Sequence, residues 1–197
     1  MKKKKINLFF LLSVIMSFVV IISNYLVQFP INYYNLQEVL TYGAFSYPIT
    51  FLITDLSNRA FGKIVAKRIV YIGFTIGILL TLTISTNFSD LISMRIAVGS
   101  GLAFLVAQSI DINIFDRLRN NKVWFIAPLT SSLIGSIIDT FLFFSISFYK
   151  TGIPWVSLAF GDLAVKLLIA LIMLIPFRLL LNFIANKSDK EISYKIN

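Results

Sequence analysis

The stretch from Thr41 to Gly62, TYGAFSYPITFLITDLSNRAFG, is apolar over a length that can cross a bilayer, yet it contains Asp55 and Arg59. A charged side chain at membrane depth costs at least about 2.5 kcal/mol, so such residues usually face a bundle interior or a substrate path. Asp55 and Arg59 are four residues apart, which places both on one helical face in the favourable order for an ion pair. The sequence therefore predicts a membrane helix whose Asp55–Arg59 pair faces the interior of the protein.

The composition of the chain is typical of a protein that lies in lipid. Of its 197 residues 57% are hydrophobic and the mean hydropathy is +0.84, whereas a soluble domain is closer to half apolar. Runs of about 20 apolar residues suffice to cross a hydrocarbon core of about 30 Å. We predict an all-α membrane protein, a single domain over residues 1–197, with six transmembrane helices in one bundle at about 7–29, 41–61, 69–87, 91–115, 123–149 and 154–184. Pro30 is expected to end the first helix and Pro176 to kink or break the sixth.

The positions of the basic residues predict the orientation of these helices. If the N-terminus is cytoplasmic, 14 of the 18 lysines and arginines fall in cytoplasmic segments: Lys2–Lys5, Lys63, Lys67, Arg68, Arg117, Arg119, Lys122, Arg178, Lys187, Lys190 and Lys195. Cytoplasmic segments of membrane proteins carry such an excess, so both termini are predicted to be cytoplasmic. The net charge of +9 is then a topology signal that also favours contact with the lipid bilayer, and we expect no nucleic acid partner.

The chain contains neither cysteine nor histidine. This excludes disulfides, thiol nucleophiles, imidazole general bases and the usual zinc sites. We expect no catalytic residue, no metal and no cofactor. A membrane enzyme, such as a carboxylate-dependent hydrolase, is a disfavoured alternative because the sequence has no nucleophile motif.

The fifth and sixth predicted helices carry three charged residues at a similar depth. Asp162 and Lys166 repeat the acid-then-base spacing of four, and Asp139 reaches about the same level on the fifth helix. We expect these three to meet in the outer half of the bundle. Phe143 shares a face with Asp139 and is a candidate ring contact, although a phenylalanine in a bilayer more often packs against helices or lipid.

The inner half is predicted to hold a second polar group, which consists of Asp55, Arg59, Gln108 and Asp111. Asn24, near the end of the first predicted helix, is a further amide at membrane depth. Such residues can hold helices in register, but in lipid such pairs contribute little net stability, which favours a functional role. A buried carboxylate can accept two parallel hydrogen bonds from a guanine-like base, or it can carry a coupled proton. The sequence does not choose between these uses.

Taken together, an ordered set of segments over about residues 23–166 resembles the small six-helix queuosine precursor transporters, also called the vitamin uptake transporter family. The segments are SNYLVQFP (Ser23–Pro30), YGAFSYPITFLITDL (Tyr42–Leu56), RAFG (Arg59–Gly62), AKRIV (Ala66–Val70), AQSIDINIFDRLR (Ala107–Arg119), WFIAPLTSS (Trp124–Ser132), DTFLFF (Asp139–Phe144) and DLAVK (Asp162–Lys166). The resemblance implies uptake of a purine-like small molecule, 7-cyano-7-deazaguanine or 7-aminomethyl-7-deazaguanine, across a bacterial inner membrane.

The resemblance turns the intramembrane polar residues into candidates for substrate binding. By complementarity, Asp55, Asp139 or Asp162 is expected on the guanine-like edge and Phe143 against the ring. The complete set of candidates is Asn24, Asp55, Arg59, Gln108, Asp111, Asp139, Phe143, Asp162 and Lys166.

One alternative is the substrate-binding subunit of an energy-coupling-factor vitamin importer, which is also a six-helix protein of about this size. Such subunits typically carry small residues on the first helix, whereas residues 7–29 here contain no alanine and no glycine. A homodimer is left open, because no interface motif specifies one. A further hypothesis is an inverted repeat of three spans each, which would relate Asp55 to Asp139.

Overall fold

The computed structural model describes the backbone of residues 2–33, 40–80, 82–83 and 90–193, and the side chains of these ranges except 2–5 and 182–193. Within them the chain forms seven helices: α1 (Lys2–Leu26), α2 (Gly43–Ser46), α3 (Pro48–Phe61), α4 (Lys63–Leu80), α5 (Leu91–Leu118), α6 (Ile126–Phe148) and α7 (Trp155–Ser193). In these ranges the only extended pairing is an isolated bridge between Pro30 and Thr41. The predicted all-helical class is confirmed.

Four helices of the described chain are long and apolar enough to cross a membrane: Ile6–Leu26, Leu91–Leu118, Ile126–Phe148 and Trp155–Leu181. They correspond to the first, fourth, fifth and sixth predicted spans. α4 has 18 residues but carries three basic residues in its first two turns, and α3 has 14 residues. The membrane class is therefore supported, and the count of six spans stays a prediction.

The second predicted span, expected as one helix over 41–61, is interrupted. It contains the single turn α2, then Tyr47, then α3, which begins at Pro48. Proline has no N–H to donate, so it is favoured in the first turn of a helix and disfavoured in the interior. Tyr47 keeps helical dihedral angles, with φ −55° and ψ −41°. The backbone is thus helical on both sides, while its hydrogen-bond ladder restarts at Pro48.

α3 lies among the other helices and packs against α1, α4, α5, α6 and α7. Nine of its 14 residues are buried, and five of those nine are polar: Thr50, Thr54, Asp55, Ser57 and Asn58. A buried polar group without a partner costs about 1–3 kcal/mol, so these side chains require partners on the neighbouring helices. α3 is therefore the helix around which the polar contacts of the bundle are arranged.

α1 and α4 approach each other closely. A Cβ atom placed on Gly73 would lie 2.3 Å from Cγ of Met16, and one on Gly77 would lie 2.5 Å from Cγ1 of Val20. Small residues permit this approach where lipid supplies no hydrophobic driving force between helices. The two glycines therefore position α1 against the bundle.

α5 and α6 pack side by side, and Arg95 fixes the position of one helix along the axis of the other. Its guanidinium donates to the carbonyl oxygen of Ile146 at 2.9 and 3.1 Å and to that of Tyr149 at 2.8 Å. These carbonyls belong to the last turn of α6 and to the residue that follows it, where a helix leaves its own acceptors unpaired. Arg95, near the start of α5, therefore caps the end of α6.

Several predicted boundaries differ from the structure. α7 continues from Trp155 to Ser193 with Pro176 inside it, so this proline does not end the helix. α1 ends at Leu26, four residues before Pro30. α4 begins at Lys63, six residues earlier than the predicted third span, and residues 81 and 84–87 of that span lie outside the described residues.

Candidate functional site

The first buried polar cluster joins α6 to α7. Nζ of Lys166 lies 2.9 Å from Oδ2 of Asp139 and 2.7 Å from Oδ2 of Asp162, and these side chains are at most 5% exposed. The hydroxyl of Thr140 donates to Oδ2 of Asp162 at 2.9 Å and accepts from Lys166 at 3.3 Å. The predicted meeting of Asp139, Asp162 and Lys166 is confirmed. We call these four residues the lysine cluster.

Tyr47 links the lysine cluster to α1. Its ring centroid lies 5.2 Å from Nζ of Lys166, within the range of a cation–π attraction, and its hydroxyl donates to Oδ1 of Asn24. Asn24, a candidate from the sequence, is therefore connected to the lysine cluster through Tyr47. Sequence reasoning missed Tyr47, although a Tyr-Pro step inside an apolar run was a signal of an interruption.

The second cluster contains two carboxyl groups and lies where α3, α5 and α6 meet. Asp55 is 2% exposed and accepts hydrogen bonds from Ser131 at 3.1 Å and from Ser132 at 3.2 Å. Asp111 of α5 is fully buried beside Asp55 and Ser131, yet neither of its oxygens accepts a hydrogen bond of ordinary geometry. None of the ion pairs among the described residues involves either carboxyl group. We call Asp55 and Asp111 the acid pair.

Arg59 does not pair with Asp55, so this prediction is wrong. Its side chain is exposed and donates to the carbonyl oxygen of Arg119 just after α5. Residues four apart differ by about 40° around a helix, and this offset separates the buried position of Asp55 from the exposed position of Arg59. An exposed guanidinium avoids the free-energy cost of desolvation that a buried guanidinium would incur.

Gln108 connects α5 to α3 near the acid pair. Its Oε1 accepts from the hydroxyl of Thr54 at 2.5 Å, and its Nε2 donates to the hydroxyl of Thr50 at 2.9 Å. One turn further along, Nδ2 of Asn58 donates to the carbonyl oxygen of Ile112 at 3.0 Å. These bonds set the register that brings Asp111 next to Asp55. Of the two roles open for Gln108, the contacts match the interhelical one.

Phe143 belongs to the apolar packing at the far end of α6. Its ring makes edge-to-face contacts with Phe144 and Phe148, with centroid distances of 5.0 and 6.0 Å. It packs in the same cluster as Leu158 and Ala159 of α7. Phe143 therefore lies among hydrocarbon side chains.

A narrow pocket lies beside Asp55, between α3, α6 and α7. Its polar lining consists of Asp55, Ser132 and Ser136, and its apolar walls include the rings of Phe51 and Phe177. The hydroxyl of Ser136 is buried and has no hydrogen-bond partner among the described residues. In this conformation the pocket has room for about one water molecule.

Small polar residues along one face of α6 serve both clusters and the pocket: Ser131, Ser132, Ser136, Asp139 and Thr140. Ser131 and Asp139 are eight residues apart, which corresponds to about 12 Å along a helix. Sequence reasoning missed the three serines, although Ser136 lies four residues after Ser132 and three before Asp139 within SSLIGSIIDT, which was a usable signal. In the described part of the chain no group of three or more carboxylate, imidazole or thiol side chains could hold a metal ion.

Comparison with known proteins places these residues in a family. The family model described as "Putative vitamin uptake transporter" matches residues 41–181, a range that includes the lysine cluster, the acid pair and the pocket. The chain is 33% identical over 208 residues to the "Probable queuosine precursor transporter" of Haemophilus influenzae, covering 91% of this chain and 88% of that protein. It is 34% identical over 203 residues to the "Queuosine precursor transporter" of Escherichia coli, covering 91% of each.

A more distant relative, the "Probable queuosine precursor transporter" of Bacillus subtilis, is 25% identical over 157 residues, which is 68% of each protein. No solved structure shows a significant match to this chain. Because the family model covers most of the sequence and two relatives exceed 30% identity over nearly its whole length, this protein belongs to the vitamin uptake transporter family and is a transporter rather than an enzyme.

Proposed function

We propose that this protein imports a queuosine precursor, 7-cyano-7-deazaguanine or 7-aminomethyl-7-deazaguanine, across a bacterial inner membrane. The two relatives named as queuosine precursor transporters supply the substrate class. The structural observation that carries the proposal is the pocket beside Asp55. There a buried carboxyl group and the hydroxyl of Ser136, which has no partner among the described residues, line a space that Phe51 and Phe177 also line.

The chemistry of this lining suits a guanine-like base. Such a base presents an N1–H and a 2-amino group side by side, and the carboxylate of Asp55 can accept from both. The hydroxyl of Ser136, which has no hydrogen-bond partner among the described residues, is available for the neighbouring carbonyl oxygen of the base. The rings of Phe51 and Phe177 offer apolar surface for its faces. An analogue without the 2-amino group would leave Asp55 underpaired in a dry site and would therefore bind weakly.

Among the three aspartates considered for base recognition, Asp55 is the one that lines the pocket. Asp139 and Asp162 both accept from Lys166, so a base would have to displace an ammonium group to reach them. In this proposal the lysine cluster supports the bundle. The ring contact expected of Phe143 is made instead by Phe51 and Phe177.

The pocket must widen before a base can enter, since it now holds about one water molecule. Pro48 lines the pocket and starts α3, where the hydrogen-bond ladder of the second span restarts. Hinges are commonly a few residues at the ends of helices that absorb a change in backbone angles. We place the bend that opens the pocket at Tyr47 and Pro48.

The proposed topology has six spans with both termini in the cytoplasm. α2 and α3 together cover residues 43–61, which corresponds to about 28 Å of helix, and α4 supplies the third span. The start of α4 carries Lys63 and Lys67, and the end of α5 carries Arg117. These two helix ends lie on the same side of an antiparallel bundle, as the excess of basic residues in cytoplasmic segments requires.

Exchange of labelled 7-cyano-7-deazaguanine by the purified protein in liposomes tests the proposal. Asp55→Asn is expected to lower the exchange rate at limiting substrate by about 10- to 100-fold, because a hydrogen bond to a charged group contributes about 1.5–3 kcal/mol. The matched control is Asp90→Asn at the start of α5. Asp90 is exposed and caps α5, and asparagine retains that cap, so exchange should be unchanged.

Each outcome addresses a separate part of the proposal. Exchange by the protein alone contradicts the energy-coupling-factor alternative, in which a coupling ATPase is required. Exchange that begins only after such an ATPase is added would favour that alternative. Equal exchange by the wild-type, Asp55→Asn and Asp90→Asn proteins would leave the function standing and remove Asp55 from the binding site.

A further inference from the structure

We infer that the acid pair binds one proton together with each substrate molecule and that Asp111 carries this proton in the loaded state. The inference rests on the proposed function, because it assigns the coupling ion for the same pocket. It makes the protein a proton–substrate symporter in which the recognition residue and the proton carrier are neighbouring aspartates.

Asp111 accepts no hydrogen bond of ordinary geometry within the described part of the chain. Its side chain is fully buried. The hydroxyls of Ser131 and Ser132 instead donate to Asp55, one to each oxygen. A buried carboxylate without donors or a cation is strongly unfavourable, whereas a protonated one becomes neutral and can donate. Asp55 is the adjacent acceptor.

The charged side chains nearest to the acid pair on α3 and α5 are bonded to other groups. On α3, Arg59 is exposed and bonded to the Arg119 carbonyl. On α5, Asp116 is occupied by the side chain of Arg119, at 3.2 Å. The strongest charged neighbour of Asp55 is Asp111 itself. Two adjacent carboxyl groups in such a site cannot both be ionised without a large penalty, so they hold a proton between them.

The described side chains of the remaining helices also supply no counter-charge. α6 faces the pair with serines, and α1 has no charged residue from Ile6 to Leu26. On α7, Lys166 is held by Asp139 and Asp162, and the guanidinium of Arg178 lies 5.1 Å from the ring centroid of Trp124. α4 carries Lys63, Lys67 and Arg68, and none of these forms an ion pair with Asp55 or Asp111 within the described ranges.

Binding of the substrate determines which of the two aspartates holds the shared proton. The N–H groups of a guanine-like base require an ionised Asp55 as their acceptor, so the shared proton must lie on Asp111 when the base is bound. Substrate and proton therefore raise each other's affinity, and this coupling is reciprocal. A proton taken up from outside enters with the base. It leaves from Asp111 when the base has departed and the pocket is open to the cytoplasm.

Liposomes with an acidic exterior test the inference with 7-cyano-7-deazaguanine as the probe. With one proton per base, an inward difference of about one pH unit drives up to about tenfold accumulation by the wild-type protein. Asp111→Asn replaces the protonated acid by a neutral amide of the same shape. It should abolish the accumulation that the pH gradient drives, while the Asp90→Asn control accumulates as the wild type does.

A second measurement uses the affinity for the base in detergent at several pH values. The wild-type affinity should fall as the pH rises, because loss of the shared proton places a second negative charge beside Asp55. The affinity of Asp111→Asn should lack this fall. If Asp111→Asn is not recovered as folded protein, the wild-type curve alone still decides, since a pH-independent affinity would overturn the inference.

The two proposals fail in distinguishable ways. Absence of any base exchange by the wild-type protein contradicts the proposed function. Exchange that responds to no pH gradient, or accumulation driven by a sodium gradient in its place, overturns the proton inference alone. Accumulation by Asp111→Asn equal to that of the wild type removes Asp111 as the carrier. A folded Asp111→Asn protein that neither exchanges nor binds the base also overturns the inference, because a neutral Asp111 would then not be the loaded form.

Discussion

The lysine cluster and the acid pair are two buried groups that contain carboxylates, and Asp139 of the first lies about 12 Å along α6 from Ser131, which donates to Asp55 of the second. In the lysine cluster, two aspartates share one ammonium group at 2.7 and 2.9 Å. In the acid pair, the hydroxyls of Ser131 and Ser132 donate to Asp55. Asp111 accepts no hydrogen bond of ordinary geometry from the described residues. Both groups are buried, but only the first contains its own counter-charge.

The difference separates a structural role from a functional one. A buried ion pair with complete hydrogen bonds holds helices in one arrangement and has little capacity left for a ligand. A buried carboxyl group without partners costs stability, and such groups are typically found where a ligand or an ion completes them. The pocket lies beside the acid pair, which agrees with this division.

Removal of the cation from the lysine cluster should have the largest effect on stability. Lys166→Met leaves Asp139 and Asp162 buried without a counter-charge, which should lower the free energy of unfolding by about 3–5 kcal/mol. Thermal unfolding in detergent measures this loss. Lys122→Met, at an exposed position between α5 and α6, is the control and should change stability by about 0.5 kcal/mol or less. Similar midpoints for the two variants would show that the lysine cluster is not structural.

Replacement of an aspartate by asparagine should affect stability differently in the two clusters. Asp139→Asn removes one of the two carboxylates from Lys166 and should lower stability by about 1–3 kcal/mol. Asp111→Asn removes a carboxyl group that accepts no hydrogen bond of ordinary geometry from the described residues, so stability should stay the same or rise. Unfolding of both variants under identical conditions gives the comparison. A greater loss for Asp111→Asn than for Asp139→Asn would contradict the division between the clusters.

The smallest effect is expected at Arg59. Arg59→Gln removes an exposed charge that lies outside both clusters, so stability should change by about 0.5 kcal/mol or less. Base exchange in liposomes should keep its wild-type rate. A loss of exchange as large as that of Asp55→Asn would instead support the ion pair that the sequence predicted.

The site could be predicted from the sequence only where the spacing within a helix, or the depth along it, determines the position of a residue. Asp162 and Lys166 lie on the same helix, so their spacing alone brings them together, and Asp139 joins them because its depth follows from the length of its helix. Asp55 and Arg59 have the same spacing, yet they separate because the edge of the buried face passes between them. Ser131, Ser132 and Tyr47 were missed because small hydroxyl and aromatic side chains in an apolar run are compatible with simple packing.

The sequence by itself determined the membrane class, the resemblance to the transporter family and the meeting of Asp139, Asp162 and Lys166. These follow from hydropathy, from ordered motifs and from the helical period, all of which act within short segments of chain. Only the tertiary structure decided that Asp111 lies against Asp55 without donors and that Phe51 and Phe177 line the pocket. The rotation and register of one helix against another are set by the packing of all their faces together, and no single segment contains that information.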